Sequence, residues 1–120
     1  MDIETFRNYC ISKKGVTESL PFGPDTLVFK VMGKMFALAG LDNVPLTVNL
    51  KCDPDRAIEL RETYENHILP GYHMNKQHWN TTVLDGHLKP SLVFELTDHS
   101  YELVVQSLPK KLQQELENLE

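Results

Sequence analysis

The chain has 120 residues, 41% of them hydrophobic and 24% charged, and a formal net charge of −5. A chain of this length buries roughly two-thirds of its unfolded surface, enough for one core over residues 1–120 without a second domain, and the composition excludes intrinsic disorder. The acidic balance excludes bulk attraction to a polyanion, and no apolar run approaches the roughly 18 residues of a membrane span.

The first stretch, MDIETFRNYC, is acidic and amphipathic, so neither a signal peptide nor an anchor is expected. Ile3, Phe6 and Cys10 recur at helical spacing before Lys13, Lys14 and Gly15, which predicts a first helix. VTESLPFGPD, residues 16–25, carries two prolines and a glycine around Phe22 and predicts an ordered loop with that aromatic tucked inward. TLVFKVMGKMFALAG, residues 26–40, is β-branched and aromatic on both sides of Gly33 and predicts a hairpin. LTVNLK, residues 46–51, alternates strictly and predicts a strand with one buried and one wet face. That pattern puts Lys30, Thr47, Asn49 and Lys51 on the wet face, with Lys34 at the hairpin tip.

Asp53 followed by Pro54 is a helix start, and Ala57, Leu60 and Tyr64 then share one face over about 54–64. A further strand runs from Trp79 or Asn80 to Leu84 and ends at the Asp85-Gly86 turn. Pro90 opens a longer helix with a wide stripe that includes Leu92, Leu96, Leu103 and Val104. Pro109 interrupts it, and Leu112, Leu116 and Leu119 predict a final helix or a kinked continuation. The expected fold is α+β: an antiparallel sheet of about five strands covered by helices on one face, in the order α-β-β-β-α-β-β-α-α.

Charge is unevenly placed. Residues 53–65 carry five acids against Arg56 and Arg61, and residues 91–120 carry six acids against Lys110 and Lys111. The helices are therefore acidic while the strands and the 66–90 segment are mildly basic. Two isolated cysteines, Cys10 and Cys52, form no C-x-x-C and fit a reducing cytoplasm as small buried hydrophobes. Cys52 also lies at a strand–helix junction, where a helix N-terminus can activate a thiol; packing beneath the second helix is the expectation.

Four histidines, His67, His73, His78 and His87, invite a metal reading, but no H-E-x-x-H or H-x-H is present and His73 and His78 stand five apart. Neither a metal nor a cofactor is expected. There is no P-loop, G-x-G-x-x-G or G-x-S-x-G, so no enzyme is predicted. His99, near Asp98 and Glu102, reads as a surface or boundary residue. What remains is PGYHMNKQHWN, residues 70–80, in which Tyr72, His73, Asn75, Lys76, His78, Trp79 and Asn80 crowd stacking and hydrogen-bonding side chains into one contact segment. Trp79 is equally a core plug, and Asn75 equally a turn former.

Several segments, taken in order, resemble the MmcQ/YjbR family over almost the whole chain: GVTESLPFGPDTLVFKVMGKMFAL, LKCDP, PGYHMNKQHWNTTVLDG and LTDHSYELVVQSLPKKL. The resemblance implies a CyaY-like, double-wing α+β domain of bacterial cytoplasmic proteins, labelled DNA-binding, without a catalytic assignment. With acidic helices, contact with DNA would fall to the sheet face, the Gly33–Lys34 hairpin and the 70–80 segment. The residues expected to make it are Lys30, Lys34, Lys51, His73, Asn75, Lys76, His78, Trp79 and Asn80. The leading expectation is thus a non-enzymatic, monomeric, cytoplasmic binding module with weak DNA affinity. The alternatives are a protein-interaction or chaperone-like adaptor, and a small-molecule site at the PGYHMNK turn.

Overall fold

The computed structural model describes residues 1–119. In chain order the elements are α1 (Ile3–Ile11), β1 (Val16–Ser19), β2 (Thr26–Val31), β3 (Lys34–Gly40), β4 (Thr47–Lys51), α2 (Pro54–Thr63), β5 (Ile68–Pro70), β6 (Trp79–Val83), α3 (Pro90–Ser107) and α4 (Lys110–Glu117). The six strands form one antiparallel sheet in the order β1-β2-β3-β4-β6-β5. The α+β class and the helix-covered antiparallel sheet match the sequence reading.

Two expectations are corrected. Residues 16–19 are not loop but a sixth strand, with Val16 paired to Val31 and Ser19 to Val28. The prolines and glycine at 21–24 drew the whole stretch towards a loop reading, although Val-Thr-Glu-Ser alternates between half-buried and exposed as an edge strand does. Phe22 is likewise not tucked in, being 65% exposed.

Helix starts follow their sequence signals. Asp2 accepts from the Thr5 amide at 2.8 Å, and Asp53 accepts from the Arg56 amide at 3.2 Å with Pro54 at the first helical turn. The β2–β3 hairpin closes through Met32 and Gly33, both at positive φ (50° and 87°), the pair of left-handed conformations that a two-residue turn needs to match strand twist.

The helices lie on one face. Val93, Leu96, Thr97, Ser100 and Val104 of α3 are buried, and α3 packs across β2, β3 and β4. The core beneath it gathers Phe29 and Val31, Ala37 and Ala39, Val48 and Leu50, with Phe6 and Cys10 of α1. Fully burying each large apolar side chain contributes about 1.5–3 kcal/mol. A bulge in the β2–β3 register, where Phe29 faces Ala37 but Lys30 faces Met35, leaves Phe36 as the extra residue. Phe36 is wholly buried and meets the Tyr101 ring edge-on at 5.5 Å.

Candidate functional site

Helices on one face leave the other face of the sheet uncovered. Antiparallel partners share a face, so the pairs Val28–Leu38, Leu38–Asn49, Asn49–Thr81 and Thr81–Leu69 form one row across β2, β3, β4, β6 and β5 on that side. Leu38, Asn49, Thr81 and Leu69 floor a groove of about 820 Å³. Phe22 and Asp25, from the β1–β2 connection, line it together with Asp42 and Asn43 from the β3–β4 connection. Tyr72, His73 and Met74, from the β5–β6 connection, line it as well. Phe22 and Tyr72 are exposed at 65% and 69%.

A ring of hydrogen bonds fixes the Tyr72 side of the groove. The Thr81 hydroxyl donates to Asn49 Oδ1 at 2.6 Å, the Tyr72 amide donates to Thr81 Oγ1 at 2.9 Å, and Asn49 Nδ2 donates to the Tyr72 carbonyl at 3.2 Å. The loop therefore sits on the sheet through its backbone, leaving the Tyr72 ring free at the rim. It packs against His73 at 4.0 Å between ring centroids, and His73 itself holds a left-handed backbone at φ 60°, a conformation uncommon for a non-glycine residue.

The rest of the 70–80 segment is built as a tight turn. Gly71 donates to the Trp79 carbonyl at 2.9 Å, and a Cβ on Gly71 would lie 2.8 Å from both the Trp79 Cβ and its carbonyl oxygen. Asn75 Oδ1 accepts from the Gln77 and His78 amides at 2.9 and 3.2 Å, a side-chain turn mimic. Lys76 Nζ reaches the Gly71 carbonyl at 3.3 Å. Arg61 of α2 ties the turn down, donating to the Lys76 carbonyl and, at 2.7 Å, to Asn80 Oδ1, while buried Asn80 donates to the Ala57 carbonyl at 3.4 Å.

The nine residues expected to meet DNA are dispersed. His73 lines the groove; Lys51 and Trp79 are register partners on the uncovered face; Lys30 lies on that face beside Met35. Asn75, Lys76 and Asn80 are engaged in the turn, and His78 contributes its carbonyl to the Cys52 amide at 2.8 Å. Lys34 pairs with Val31 on the helix side and donates to Ser107 Oγ at 2.9 Å. Sequence reasoning missed the groove's own residues: Asp25, Asp42, Asn49 and Thr81. Asn49 on the wet face of a strand was the available signal; the others converge only through topology.

Every side chain of the DHSY motif makes a hydrogen bond within the fold. Asp98 accepts from the Tyr9 hydroxyl at 2.6 Å and pairs with Lys13, whose ammonium also lies over the Tyr9 and Tyr101 rings. Burial, reinforced by Asp98, pushes the Tyr9 phenol up to about 12. His99 Nε2 accepts from the Asp53 amide at 3.2 Å. Ser100 Oγ accepts from the Lys51 amide at 2.9 Å and donates to the Phe36 carbonyl at 2.5 Å. Tyr101 donates to the Lys14 carbonyl at 2.6 Å. Four consecutive side chains thus tie α3 to α1, to the start of α2, to the bulged sheet and to the α1–β1 link.

Both cysteines are buried, and burial raises the Cys10 thiol to about 12 and the Cys52 thiol to about 11. Among the described residues, no group of three or more His, Cys, Asp or Glu side chains is placed to hold a metal ion, and no helix is long and apolar enough to cross a membrane.

The sequence model of the YjbR family matches residues 11–103. The chain is 38% identical over 109 residues to the uncharacterised protein YbdF of Escherichia coli O157:H7, covering 90% of this chain and 88% of that protein. It is 35% identical over 112 residues to the uncharacterised protein YjbR of Escherichia coli K12, covering 92% of this chain and 93% of that one. The crystal structure of Deinococcus radiodurans protein DR2400, with the domain DUF419, superposes with a TM-score of 0.90 at 39% identity, over 95% of this chain and 86% of that one. With a family match over most of its length and relatives this close, the chain belongs to the YjbR family.

Proposed function

We propose that this protein is a non-enzymatic binding module whose ligand is a small molecule held in the groove on the uncovered face of the sheet. The observation that carries this reading is the groove itself. Its volume of about 820 Å³ suits a drug-sized ligand. Its floor combines the apolar Leu38 and Leu69 with Asn49 and Thr81, and these two polar side chains belong to the hydrogen-bond ring that fixes the Tyr72 loop. A wall held in place before binding lowers the ordering cost of association. The exposed Phe22 and Tyr72 rings offer flat apolar surfaces to a ligand at little conformational cost.

The test is a titration of isotopically labelled protein with a small fragment collection, following backbone amides by NMR. The expected result is a joint shift of Leu38, Asn49, Tyr72, His73 and Thr81 by at least one fragment. A collection that moves none of them overturns the reading.

One observation favours a second reading, weak DNA contact. Lys51 and Trp79 are register partners on the uncovered face, with Lys76 and His78 in the turn that leads into Trp79. A cation beside an indole suits contact with a single strand, the ring stacking on a base and the cation meeting a phosphate. Such binding would be modest and would weaken steeply with salt. Short single-stranded and duplex oligonucleotides, titrated at low and moderate salt while Trp79 fluorescence is followed, test it; no change at low salt sinks it.

A further inference from the structure

The groove has two unlike ends. Near its middle and at the Tyr72 side, its polar side chains bond to one another, as the Asn49, Thr81 and Tyr72 ring shows. At the other end, where Thr26 pairs with Gly40 and the Leu41 amide donates to the Asp25 carbonyl at 2.8 Å, Asn43 Nδ2 donates to Thr47 Oγ1 and the carboxylates of Asp25 and Asp42 lie close to one another. Both aspartates line the groove, and among the described residues no lysine or arginine lines it. Neither carboxylate takes part in any ion pair among the described residues. The neighbouring Asp42 carboxylate raises the Asp25 carboxyl from its ordinary value. Tyr72 and His73, the other titratable side chains lining the cavity, come from the β5–β6 connection.

Resting on the reading that the groove is the binding site, we propose that its ligand is a small organic cation, a protonated amine or guanidinium carried on a flat apolar body. The cationic head lies at the Asp25–Asp42 end, and the body lies over Leu38 against Phe22 and Tyr72. The cavity supplies the site, and the two acids supply its charge selectivity. A cation replaces like-charge repulsion between the carboxylates with charge-assisted hydrogen bonds. It also gains from the negative faces of the rim aromatics. An anionic ligand meets two carboxylates with no compensating cation in the groove, and is rejected.

The test uses three probes of one shape, phenethylamine, 2-phenylethanol and 3-phenylpropionate, titrated into the full chain while groove amides are followed by NMR. The amine is expected to bind at least about fivefold more tightly than the alcohol, the gain of a partly solvated ion pair, and the carboxylate most weakly. In the Asp25→Asn/Asp42→Asn variant, with its spectrum still that of the folded chain, the amine-to-alcohol ratio is expected to fall to about one. Alcohol or carboxylate binding as tight as that of the amine overturns the charge assignment, as does an amine preference that survives in the variant. Failure of all three probes to shift the groove amides overturns the groove reading as well. Groove shifts that depend on protein concentration without ligand would seat a second copy there and overturn the proposal.

Discussion

Asn49 and Thr81 face each other across β4 and β6, and the Thr81 hydroxyl donates to the Asn49 amide oxygen at 2.6 Å. The same two side chains hold the Tyr72 backbone from both sides, so they act as one unit. Asn49→Ala and Thr81→Val are each expected to cost about 1–2 kcal/mol in denaturant unfolding. The double variant is expected to cost less than the sum, because the ring is already broken by either change. Both should also loosen the Tyr72 loop, visible as raised amide exchange at Tyr72 and His73. Additive losses with an unchanged loop would show that the ring is not a unit.

Gly71 is required for its lack of a side chain. Its backbone runs against Trp79, where a Cβ would sit 2.8 Å from the Trp79 carbonyl oxygen, the atom that accepts from the Gly71 amide at 2.9 Å. Gly71→Ala must push the turn off the sheet, and a loss of about 1–3 kcal/mol is expected, as for other overpacked sites. The Trp79 emission maximum should shift with it. A variant with wild-type stability and emission would refute the close-approach argument.

The Asp25–Asp42 pair gives a pH signature with a defined sign. Because Asp42 raises the Asp25 carboxyl in the folded chain, the native state binds that proton more tightly than the unfolded chain does. Stability therefore falls as pH rises through the raised native value, and the penalty stands at neutral pH. Asp25→Asn is expected to raise the melting temperature at pH 7, with the difference from wild type disappearing below the ordinary carboxylate range. A variant that is destabilised at pH 7 would contradict the pairing.

The Cys10 and Cys52 thiols, raised by burial to about 12 and about 11, are expected to resist a thiol reagent at pH 8 in the native chain. Both should react at once in denaturant. Rapid native labelling of Cys52 would return it to the list of reactive groups.

How far the sequence could be read follows from which forces act locally. Asp53-Pro54, the alternation in LTVNLK and the Gly33 hairpin are local signals, and each produced the element it predicted. Val16–Ser19 was missed because an edge strand is stabilised by its pairing with β2, which no four-residue window reveals. The groove was missed for a related reason: Asp25, Asp42, Asn49 and Thr81 lie far apart in the chain and meet only through strand order. Within PGYHMNKQHWN, composition alone does not separate side chains that build a turn from those that face outward. Asn75 and Asn80 are held by internal hydrogen bonds, whereas Tyr72 and His73 line the groove.

Outside the groove, Ser100 ties α3 to the sheet through two hydrogen bonds. The bulge at Phe36 takes its carbonyl out of register with β4, and the Lys51 amide at the end of that strand is left facing α3. One buried hydroxyl satisfies both groups, at 2.9 and 2.5 Å. Ser100→Ala leaves a donor and an acceptor unpaired where little water reaches them, each at about 1–3 kcal/mol, so a loss of about 3 kcal/mol is expected in urea unfolding. Ser100→Thr keeps the hydroxyl but adds a methyl to a fully buried position, and overpacking there costs typically 1–3 kcal/mol. Ser100→Cys, close in volume with a far weaker donor, isolates the hydrogen bonds: it should lose nearly as much stability as Ser100→Ala. If Ser100→Cys instead kept wild-type stability, packing of α3 rather than repair of the bulge would be the role of this residue.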